Sequence, residues 1–283
     1  MSRSSALQEV CVLVGQPVAG NPTQYMMEKA FARAGLEWRY LSCEVAPESL
    51  ADAVRGIRAL GFRGANVTKP HKVAIVPLLD GVSPAAEMMG AVNCLIGDDG
   101  KLTGENTDGK GFIESLRTLT DPAGQSVVLL GAGGAARAIG VELGLVGAAR
   151  ITIVNRSAER GQQLADMLHE RTGVATASVV WTGDYAPTAE TQLLINATSI
   201  GLNDPDARVP VDLSALRPEA IVADVVFNPV ETRFLRAAKQ HGCRTLDGLG
   251  MIVFQGAIAF RLWTGVEPDT VVMREAVEEY LSL

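Results

Sequence analysis

The stretch Val127-Val128-Leu129-Leu130-Gly131-Ala132-Gly133-Gly134-Ala135-Ala136 decides the fold of this chain. Its four apolar residues predict a buried strand, and the alanine-rich segment after the glycines predicts a helix. Small residues in such a loop let the backbone approach a pyrophosphate, and the helix N-terminus adds amide donors and a partial positive charge. The glycines alone would also suit an ordinary tight turn. The flanking strand and helix favour nucleotide binding.

Apolar runs alternate with amphipathic stretches on both sides of this loop. Upstream, we predict strands over residues 10–14, 38–45 and 64–68, and helices over residues 24–34 and 47–60. This β-α-β-α-β order predicts a mainly parallel sheet covered by helices. Asp98-Asp99-Gly100 then predicts a hairpin, because such turns need residues that accept a positive φ.

Downstream, a helix is expected after Asp108, and a second alternating series follows. Strands are predicted over residues 127–130, 151–154, 193–195 and 221–226, helices over 135–145 and 158–170, and C-terminal helices over 249–263 and 270–281. The expected fold class is α/β with two domains. The first is a substrate domain of residues 1–105 plus 241–283, to which the C-terminal helices return, and the second is a Rossmann-type domain of residues 106–240.

The composition restricts the class of protein. Of 283 residues, 47% are hydrophobic and 20% charged, which is typical of globular domains. A net charge of -7 disfavours a nucleic-acid partner. No apolar run approaches the roughly 20 residues of a membrane helix, and Met1 to Glu9 lacks the plan of a signal peptide, so a cytoplasmic protein is expected.

Metal binding is not expected from the four cysteines and three histidines. The cysteines form no CxxC pair, and the histidines do not have the spacing of metal ligands. Cys11, Cys43 and Cys94 lie in apolar segments predicted as strands, where a thiol acts as a small hydrophobic group.

The residues after the second strand of the nucleotide-binding half bear on the choice of cofactor. The strand ends at Asn155-Arg156-Ser157, with Arg160 just beyond, and no acidic residue stands at its end. An acid there would bind the ribose 2′-hydroxyl of NAD, whereas a guanidinium suits a 2′-phosphate. We therefore expect NADP, with NAD still possible. Arg160 could instead be a solvated helix residue paired with Glu159.

Hydride transfer to a carbonyl needs a proton donor within reach of the oxygen. The segment Asn66-Val67-Thr68-Lys69-Pro70-His71-Lys72 follows a predicted parallel strand, at the sheet edge where α/β proteins place ligands. Both Lys72 and His71 are candidates, although a lysine in such a place is most often a surface residue. The segments 90–93 and 106–109 add polar loop residues that could equally form turns and helix caps.

These segments, taken together, resemble the shikimate dehydrogenase family. The motifs that carry the resemblance are residues 66–72, 90–93, 104–109, 131–138, 155–157, 196–201, 224–229 with Thr232, 247–251 with Gln255, and 263–265. They occur in collinear order over nearly the whole chain, so the resemblance is specific.

The resemblance implies roles for individual residues. Lys72 and Asp108 match the catalytic pair, in which the lysine transfers a proton and the carboxylate orients it and tunes its charge. The implied substrate-binding residues are Asn66, Thr68, Asn93 and Gln255. The implied cofactor-binding residues are Gly131, Ala132, Gly133, Gly134, Ala135, Asn155, Arg156, Ser157 and Arg160, with Thr198, Ser199 and Gly248 on the nicotinamide side.

The sequence departs from the family pattern on the substrate side. The usual His-Ser-x-Ser-Pro stretch reads Gly20-Asn21-Pro22-Thr23-Gln24, so Asn21 and Thr23 stand where serine hydroxyls would bind a carboxylate. Phe227 replaces a tyrosine in the Asp-x-x-Tyr-Asn-Pro stretch, and Lys69 adds a charge where an apolar residue is common. These changes favour a paralogue with altered or broadened specificity.

The resemblance thus implies an NADP-preferring enzyme that interconverts 3-dehydroshikimate and shikimate or a closely related cyclic hydroxy acid. Quinate and aminoshikimate are alternative substrates, and another small acid remains open because function depends on the site. A non-catalytic ligand sensor on the same fold is the alternative from another class. The expected partner is a small molecule, and the expected state is a monomer or homodimer.

Overall fold

The computed structural model describes residues 7–282 and divides them into two compact units. One unit runs to Thr107 and resumes at Gln255, and the other spans Asp108–Phe254. Each has its own six-stranded sheet, so the predicted two-domain α/β class is confirmed. Most of the segment on which the signal-peptide expectation rests, residues 1–6, lies outside the described residues.

The elements alternate along the chain as the apolar periodicity predicts. The strands are β1 (Val10–Gly15), β2 (Arg39–Glu44), β3 (Gly64–Val67), β4 (Gly81–Val82), β5 (Cys94–Asp98), β6 (Lys101–Glu105), β7 (Ser126–Leu130), β8 (Arg150–Asn155), β9 (Ala175–Val180), β10 (Leu193–Asn196), β11 (Ile221–Asp224) and β12 (Arg244–Leu246). The helices are α1 (Thr23–Arg33), α2 (Leu50–Ala59), α3 (His71–Ala74), α4 (Pro84–Met89), α5 (Asp108–Arg117), α6 (Gly134–Leu145), α7 (Ala158–Thr172), α8 (Arg233–Gln240), α9 (Leu249–Thr264) and α10 (Thr270–Leu281).

The first sheet has the order β2-β1-β3-β5-β6-β4. β1 pairs in parallel with β2 and β3, while β5 runs antiparallel to both β3 and β6. The predicted hairpin joins β5 to β6 through Asp99 and Gly100, which have φ values of 44° and 75°. The carboxyl ends of β1 and β3 therefore lie side by side, and polar loops follow both strands.

Helices α1 and α10 pack together in the first unit. Tyr25, near the start of α1, contacts Tyr280 of α10, with ring centroids 6.0 Å apart. Asp269 caps α10 by accepting from the amides of Val271 and Val272, and it also accepts a 3.0 Å hydrogen bond from Arg33. This packing fixes the start of α1, which follows the loop containing Asn21.

The second sheet is parallel throughout, in the order β12-β11-β10-β7-β8-β9. All residues of β10 and β11 are buried, as expected for strands covered on both faces. Strands β8 and β9 extend the sheet on one side of β7, and the chain then crosses over so that β10, β11 and β12 extend it on the other side. Parallel α/β sheets bind ligands at the carboxyl ends of the strands beside such a crossover.

The structure differs from the sequence-based expectations at several points: β4, β9 and α8 were not predicted, and two further differences concern β12 and Cys43. β12 pairs with β11, which places residues from 241 up to Phe254 in the second unit, whereas we expected them to return to the first domain. A three-residue strand is too short to leave a periodic signal. The expectation that Cys43 acts as a small buried hydrophobic group is wrong, because β2 is an edge strand and the thiol is exposed.

Within residues 7–282, the structure has no helix that is both long and apolar enough to cross a membrane. The same residues contain no group of three or more His, Cys, Asp or Glu side chains placed to hold a metal ion.

Candidate active site

The glycine loop after β7 has the shape of a dinucleotide cradle. Gly131 adopts a φ of +104°, and a Cβ atom there would lie 2.9 Å from Cγ2 of Thr198 and 3.2 Å from the carbonyl oxygen of Ala197. Only glycine fits this position without strain. At Gly133 and Gly134, by contrast, an added Cβ would meet no protein atom within 4 Å. Open space beside the first turn of α6 is what a pyrophosphate needs, so these residues fit a dinucleotide.

The loop after β8 is tied to the glycine loop. Asn155 donates from Nδ2 to the carbonyl of Ser157 at 2.9 Å, and the Ser157 hydroxyl caps α7 by accepting from the Arg160 amide at 3.3 Å. The Arg160 guanidinium donates to the carbonyl oxygen of Ala132 at 3.4 Å. This contact differs from the alternative expectation, in which Arg160 pairs with Glu159. Arg156 and Arg160 are both exposed. Two cations therefore border the loop, where a 2′-phosphate could bind.

A buried hydrogen-bond network supports the loop after β10, which carries Thr198 and Ser199. The Thr198 hydroxyl donates to Oδ1 of Asn196 at 2.7 Å, and Asn196 donates from Nδ2 to Asp224 at 2.9 Å. Burial raises the pKa of Asp224 to about 6, against the lowering effect of its hydrogen bonds. Asn196 and Asp224 belong to motifs of the family resemblance, but no pattern in the sequence indicated this network.

The segments containing Phe227 and Gly248 approach each other closely in the second unit. A Cβ at Gly248 would lie 2.3 Å from the carbonyl oxygen of Val226, so the backbones pass in direct contact. Asp247 holds the start of α9 by accepting from the amides of Leu249 and Gly250 at 3.0 and 3.3 Å. The half-buried Phe227 is thus next to a backbone contact that requires glycine.

In the first unit, the structure brings three predicted substrate-binding amides into one chain of hydrogen bonds. Tyr40 donates to Oδ1 of Asn66 at 2.6 Å, and Asn66 donates to the Asn93 carbonyl at 3.4 Å. The Asn93 side chain accepts from the Thr107 amide at 2.7 Å and donates to its hydroxyl at 3.0 Å. The Thr107 hydroxyl lies 3.5 Å from Oε1 of Gln255. Thr107 lies in the motif 104–109 but was given no role, and Tyr40 was missed because it is not part of a recognisable pattern.

The loop after β3 leads into the short helix α3, which carries Lys72. Its carbonyl accepts a 2.8 Å hydrogen bond from the amide of Val92, so the lysine backbone is fixed to the loop before Asn93. The Thr68 amide donates to the carbonyl of Val14 at 2.9 Å, which holds the loop against β1. Lys72 is half-buried and has interactions of its own.

His71, the other candidate acid or base, has a structural position. It is 1% exposed, and its Nε2 atom lies 2.7 Å from the carbonyl oxygen of Val45. A buried imidazole bonded to a backbone carbonyl ties two loops together. This geometry favours Lys72 over His71 for proton transfer.

Asp108, the implied partner of the lysine, is the first residue of α5 in the second unit. The helix is closely packed on α6, because a Cβ at Gly109 would lie 2.3 Å from the carbonyl oxygen of Ala138. Because Asp108 is the first residue of α5, its carboxylate stands at the N-terminus of the helix, where the macrodipole favours negative charge.

The divergent loop before α1 has a defined conformation. Oδ1 of Asn21 accepts from the amide of Thr23 at 2.9 Å, so the oxygen of this side chain is used within the loop. An open pocket of about 400 Å³ lies beside the loop, lined by Asn21, Gln24, Tyr25, Glu28, Ser42 and Tyr280 among others. Of its described lining residues, Glu28 bears the one formal charge at neutral pH.

These features define an α/β protein with a dinucleotide cradle in one unit and an amide-rich polar site beside a lysine in the other. Family models match both: the shikimate dehydrogenase substrate binding domain over residues 13–95, shikimate / quinate 5-dehydrogenase over residues 115–198, and the shikimate 5'-dehydrogenase C-terminal domain over residues 248–278. The chain belongs to the shikimate dehydrogenase family.

Individual relatives span the whole chain. Shikimate dehydrogenase (NADP(+)) of Moorella thermoacetica is 42% identical, covering 99% of this chain and 96% of the relative. The ligand-free structure of 5-ketofructose reductase from Gluconobacter sp. strain CHM43 is 48% identical, covers 97% of this chain and 99% of that one, and has a TM-score of 0.95. Shikimate 5-dehydrogenase from Thermus thermophilus, in complex with NADP(H) and shikimate, is 37% identical, covers 96% and 100%, and has a TM-score of 0.85.

Proposed function

We propose that this chain is an NADP-preferring oxidoreductase that reversibly reduces 3-dehydroshikimate to shikimate or a closely related cyclic hydroxy acid. The observation that carries the proposal is the glycine cradle with open space at Gly133 and Gly134, bordered by the exposed Arg156 and Arg160. The named activity of relatives at about 40% identity supports the same reaction. NAD remains an alternative cofactor.

The residues of the second unit would hold the cofactor. Gly131, Ala132, Gly133, Gly134 and Ala135 would bind the pyrophosphate through backbone amides, with Asn155, Arg156, Ser157 and Arg160 at the adenosine side and Thr198, Ser199 and Gly248 at the nicotinamide side. NADPH, when bound, supplies the hydride for the ketone carbon. The guanidinium groups favour a 2′-phosphate, because they bind it with charge-assisted hydrogen bonds.

Lys72 and Asp108 are proposed to serve proton transfer. The ammonium group of Lys72 donates a proton to the ketone oxygen as the carbon is reduced, and in the oxidative direction the amine accepts the hydroxyl proton. Asp108 would serve as the partner of the lysine, as the family resemblance implies. Asn66, Thr68, Asn93 and Gln255 would bind substrate hydroxyls, and Asn21, Thr23 and Phe227 would set specificity.

Reduction of an uncharged ketose is a second candidate reaction. The 48% identity to 5-ketofructose reductase favours it, together with the form of the first loop. Asn21 presents an amide where the first of two serines would bind a carboxylate, although Thr23 keeps a hydroxyl at the second. The adjoining pocket carries the negative charge of Glu28. A substrate carboxylate would gain nothing from that charge, whereas a hydroxyl can donate to it.

A substrate panel with both cofactors tests the proposal. NADPH and NADH oxidation would be followed with 3-dehydroshikimate and 5-ketofructose, and NADP reduction with shikimate, quinate and aminoshikimate.

Lys72→Ala should abolish turnover and leave NADPH binding nearly unchanged. The control is Lys101→Ala, at an exposed lysine of β6, which should change neither turnover nor NADPH binding. Unchanged turnover in Lys72→Ala would contradict the assigned role. Tight NADPH binding without oxidation by any ketone would favour the ligand sensor.

The proposal also includes a cytoplasmic location and a monomeric or homodimeric state. Size-exclusion chromatography with light scattering would determine the second of these.

A further inference from the structure

Asp224, the last residue of β11, is a buried carboxylate that the proposed chemistry does not use. It is 1% exposed and accepts three hydrogen bonds: from Asn196 at 2.9 Å, from the Val226 amide at 3.0 Å, and from the Thr232 hydroxyl at 2.7 Å. These partners are an amide, a backbone N–H and a hydroxyl, so none of the three titrates near neutral pH. A buried polar network that is satisfied in this way holds the groups it joins in one arrangement.

Each donor anchors a different segment of the second unit. Asn196 also donates to the carbonyl of Ile200 at 3.2 Å and accepts from the amide and hydroxyl of Thr198, so the loop 196–200 is wound around its side chain. Val226 begins the segment to Phe227, and its carbonyl touches Gly248. Thr232 caps α8 by accepting from the Leu235 amide at 3.3 Å. One carboxylate thus joins the ends of two neighbouring strands to the start of a helix.

We propose that Asp224 is a positioning residue whose ionised carboxylate holds the Thr198–Ser199 loop and the Phe227 segment in the arrangement that binds the nicotinamide side of the cofactor. The inference rests on the proposed function, because it takes Thr198, Ser199 and Gly248 as the nicotinamide side.

The hydrogen bonding favours the ionised form. All three partners donate to the carboxylate, and protonation would either remove one of these bonds or reverse the one with the Thr232 hydroxyl. Because burial raises the pKa to about 6, the ionised form prevails at neutral pH and is lost as the pH falls through that value. With a raised carboxyl pKa, the stability of the fold falls as the pH rises from the unfolded value of 3.8 through about 6, and the loss is complete at higher pH. The charge is therefore retained for its position and not for stability.

The test compares Asp224→Asn with the wild type and with Asp212→Asn, a matched change at an exposed turn of the same unit. At pH 7.5 we expect Asp224→Asn to raise KM and Kd for NADPH roughly tenfold, as loss of a charge-assisted hydrogen bond implies. Its melting temperature should be equal to or above that of the wild type. Asp212→Asn should leave KM and Kd for NADPH unchanged.

A pH series from 5 to 8 separates positioning from a merely structural role. The wild-type kcat/KM for the cofactor should fall as the pH drops through about 6, and this acid limb should be absent in Asp224→Asn. NADH is measured in parallel, because it lacks the 2′-phosphate, which titrates in the same range. An unchanged KM, or the same acid limb in Asp224→Asn, would overturn the inference.

Two further variants keep the test decisive if Asp224→Asn does not fold. Thr232→Val removes one donor and should raise KM for NADPH, whereas Thr232→Ser keeps the hydroxyl and should not. Equal KM values for these two variants would overturn the inference. A wild-type protein that binds no NADPH and reduces no ketone would contradict the proposed function instead.

Discussion

The hydroxyl of Tyr40 donates a 2.6 Å hydrogen bond to Oδ1 of Asn66, and both side chains are buried. β2 and β3 flank β1, so the tyrosine reaches across the central strand to the amide. This bond occupies the acceptor end of Asn66 and leaves the Nδ2 donors for the Asn93 carbonyl and for a ligand. An amide that is proposed to bind substrate is thus oriented by a residue that need not touch the substrate.

Tyr40→Phe should weaken substrate binding and lower stability together. The buried Oδ1 atom of Asn66 would lose its donor, which costs about 1–3 kcal/mol of unfolding free energy. The amide could then rotate, so KM for the substrate should rise more than kcat falls. Urea unfolding and steady-state kinetics measure both quantities. Tyr185→Phe, at a half-buried ring of the second unit, is the control, and an unchanged KM in Tyr40→Phe would contradict the orienting role.

Two alanine substitutions in the glycine loop distinguish its role in folding from its role in cofactor binding, and a third, in α2, is the control. Gly131→Ala should destabilise the protein by at least about 1–2 kcal/mol, because its φ of +104° is unfavourable for a side chain and Thr198 is too close. Gly133→Ala meets no protein atom, so it should fold normally but bind NADPH more weakly. Gly56→Ala, in the middle of α2, should gain about 0.5–1 kcal/mol and leave NADPH binding unchanged.

Calorimetry and NADPH titration distinguish these variants. If Gly133→Ala bound NADPH as tightly as the wild type, the pyrophosphate would not lie where we propose.

Cofactor preference should change when the arginines after β8 are neutralised. In Arg156→Gln and Arg160→Gln, loss of a charge-assisted hydrogen bond to the 2′-phosphate should raise KM for NADPH about ten- to a hundredfold. KM for NADH should stay within about twofold, since the 2′-hydroxyl carries no charge. Kinetics with the two cofactors give the ratio directly. Arg171→Gln, at the end of α7, is the control, and an equal loss with NADH would point to general disruption.

The cap of α10 should give a pH-dependent contribution to stability. The hydrogen bond from Arg33 holds the pKa of Asp269 below its usual 3.8. A lowered carboxyl pKa stabilises the fold above the unfolded value and ceases to do so as the pH falls through the folded value. Asp269→Ala should therefore lower the melting temperature at pH 7, and the difference should shrink as the pH falls below 3.8.

The exposed carboxylate Asp98 supplies the control for that experiment. Asp98→Ala should leave the melting temperature nearly unchanged at both pH values. A constant deficit of Asp269→Ala down to acid pH would mean that the carboxylate charge is not involved.

Patterns that span many residues predicted the architecture. The buried runs of β7, β8, β10 and β11, and the turn at Asp99-Gly100, follow from periodicity and from positive φ, and the structure contains all of them. The two-residue β4 and the three-residue β12 were not predicted, because so few residues cannot show a period. The path of the chain between Gln240 and α9 therefore differed from expectation.

The site residues also divide into those that a local sequence pattern reveals and those that it does not. Residues that chemistry requires at one position, such as Gly131 and Lys72, belong to local motifs and could be singled out from the sequence. Tyr40 and Asp224 act through partners 26 and 28 positions away, Asn66 and Asn196. Such pairs form only when the strands assemble. A single sequence can therefore mark such a residue within a motif, as it does for Asp224, but does not indicate which distant residue it orients.

The exposed edge of the first sheet bears on how the protein behaves at high concentration. Every residue of β2 except Tyr40 is exposed, and the strand begins with Arg39 and ends with Glu44. An unpaired edge invites pairing with the same edge of another molecule, and charged side chains oppose it. Engineering that replaced both end charges with threonine or valine would remove this protection. Such a variant would need to be watched for strand-mediated self-association, whatever it gained in other respects.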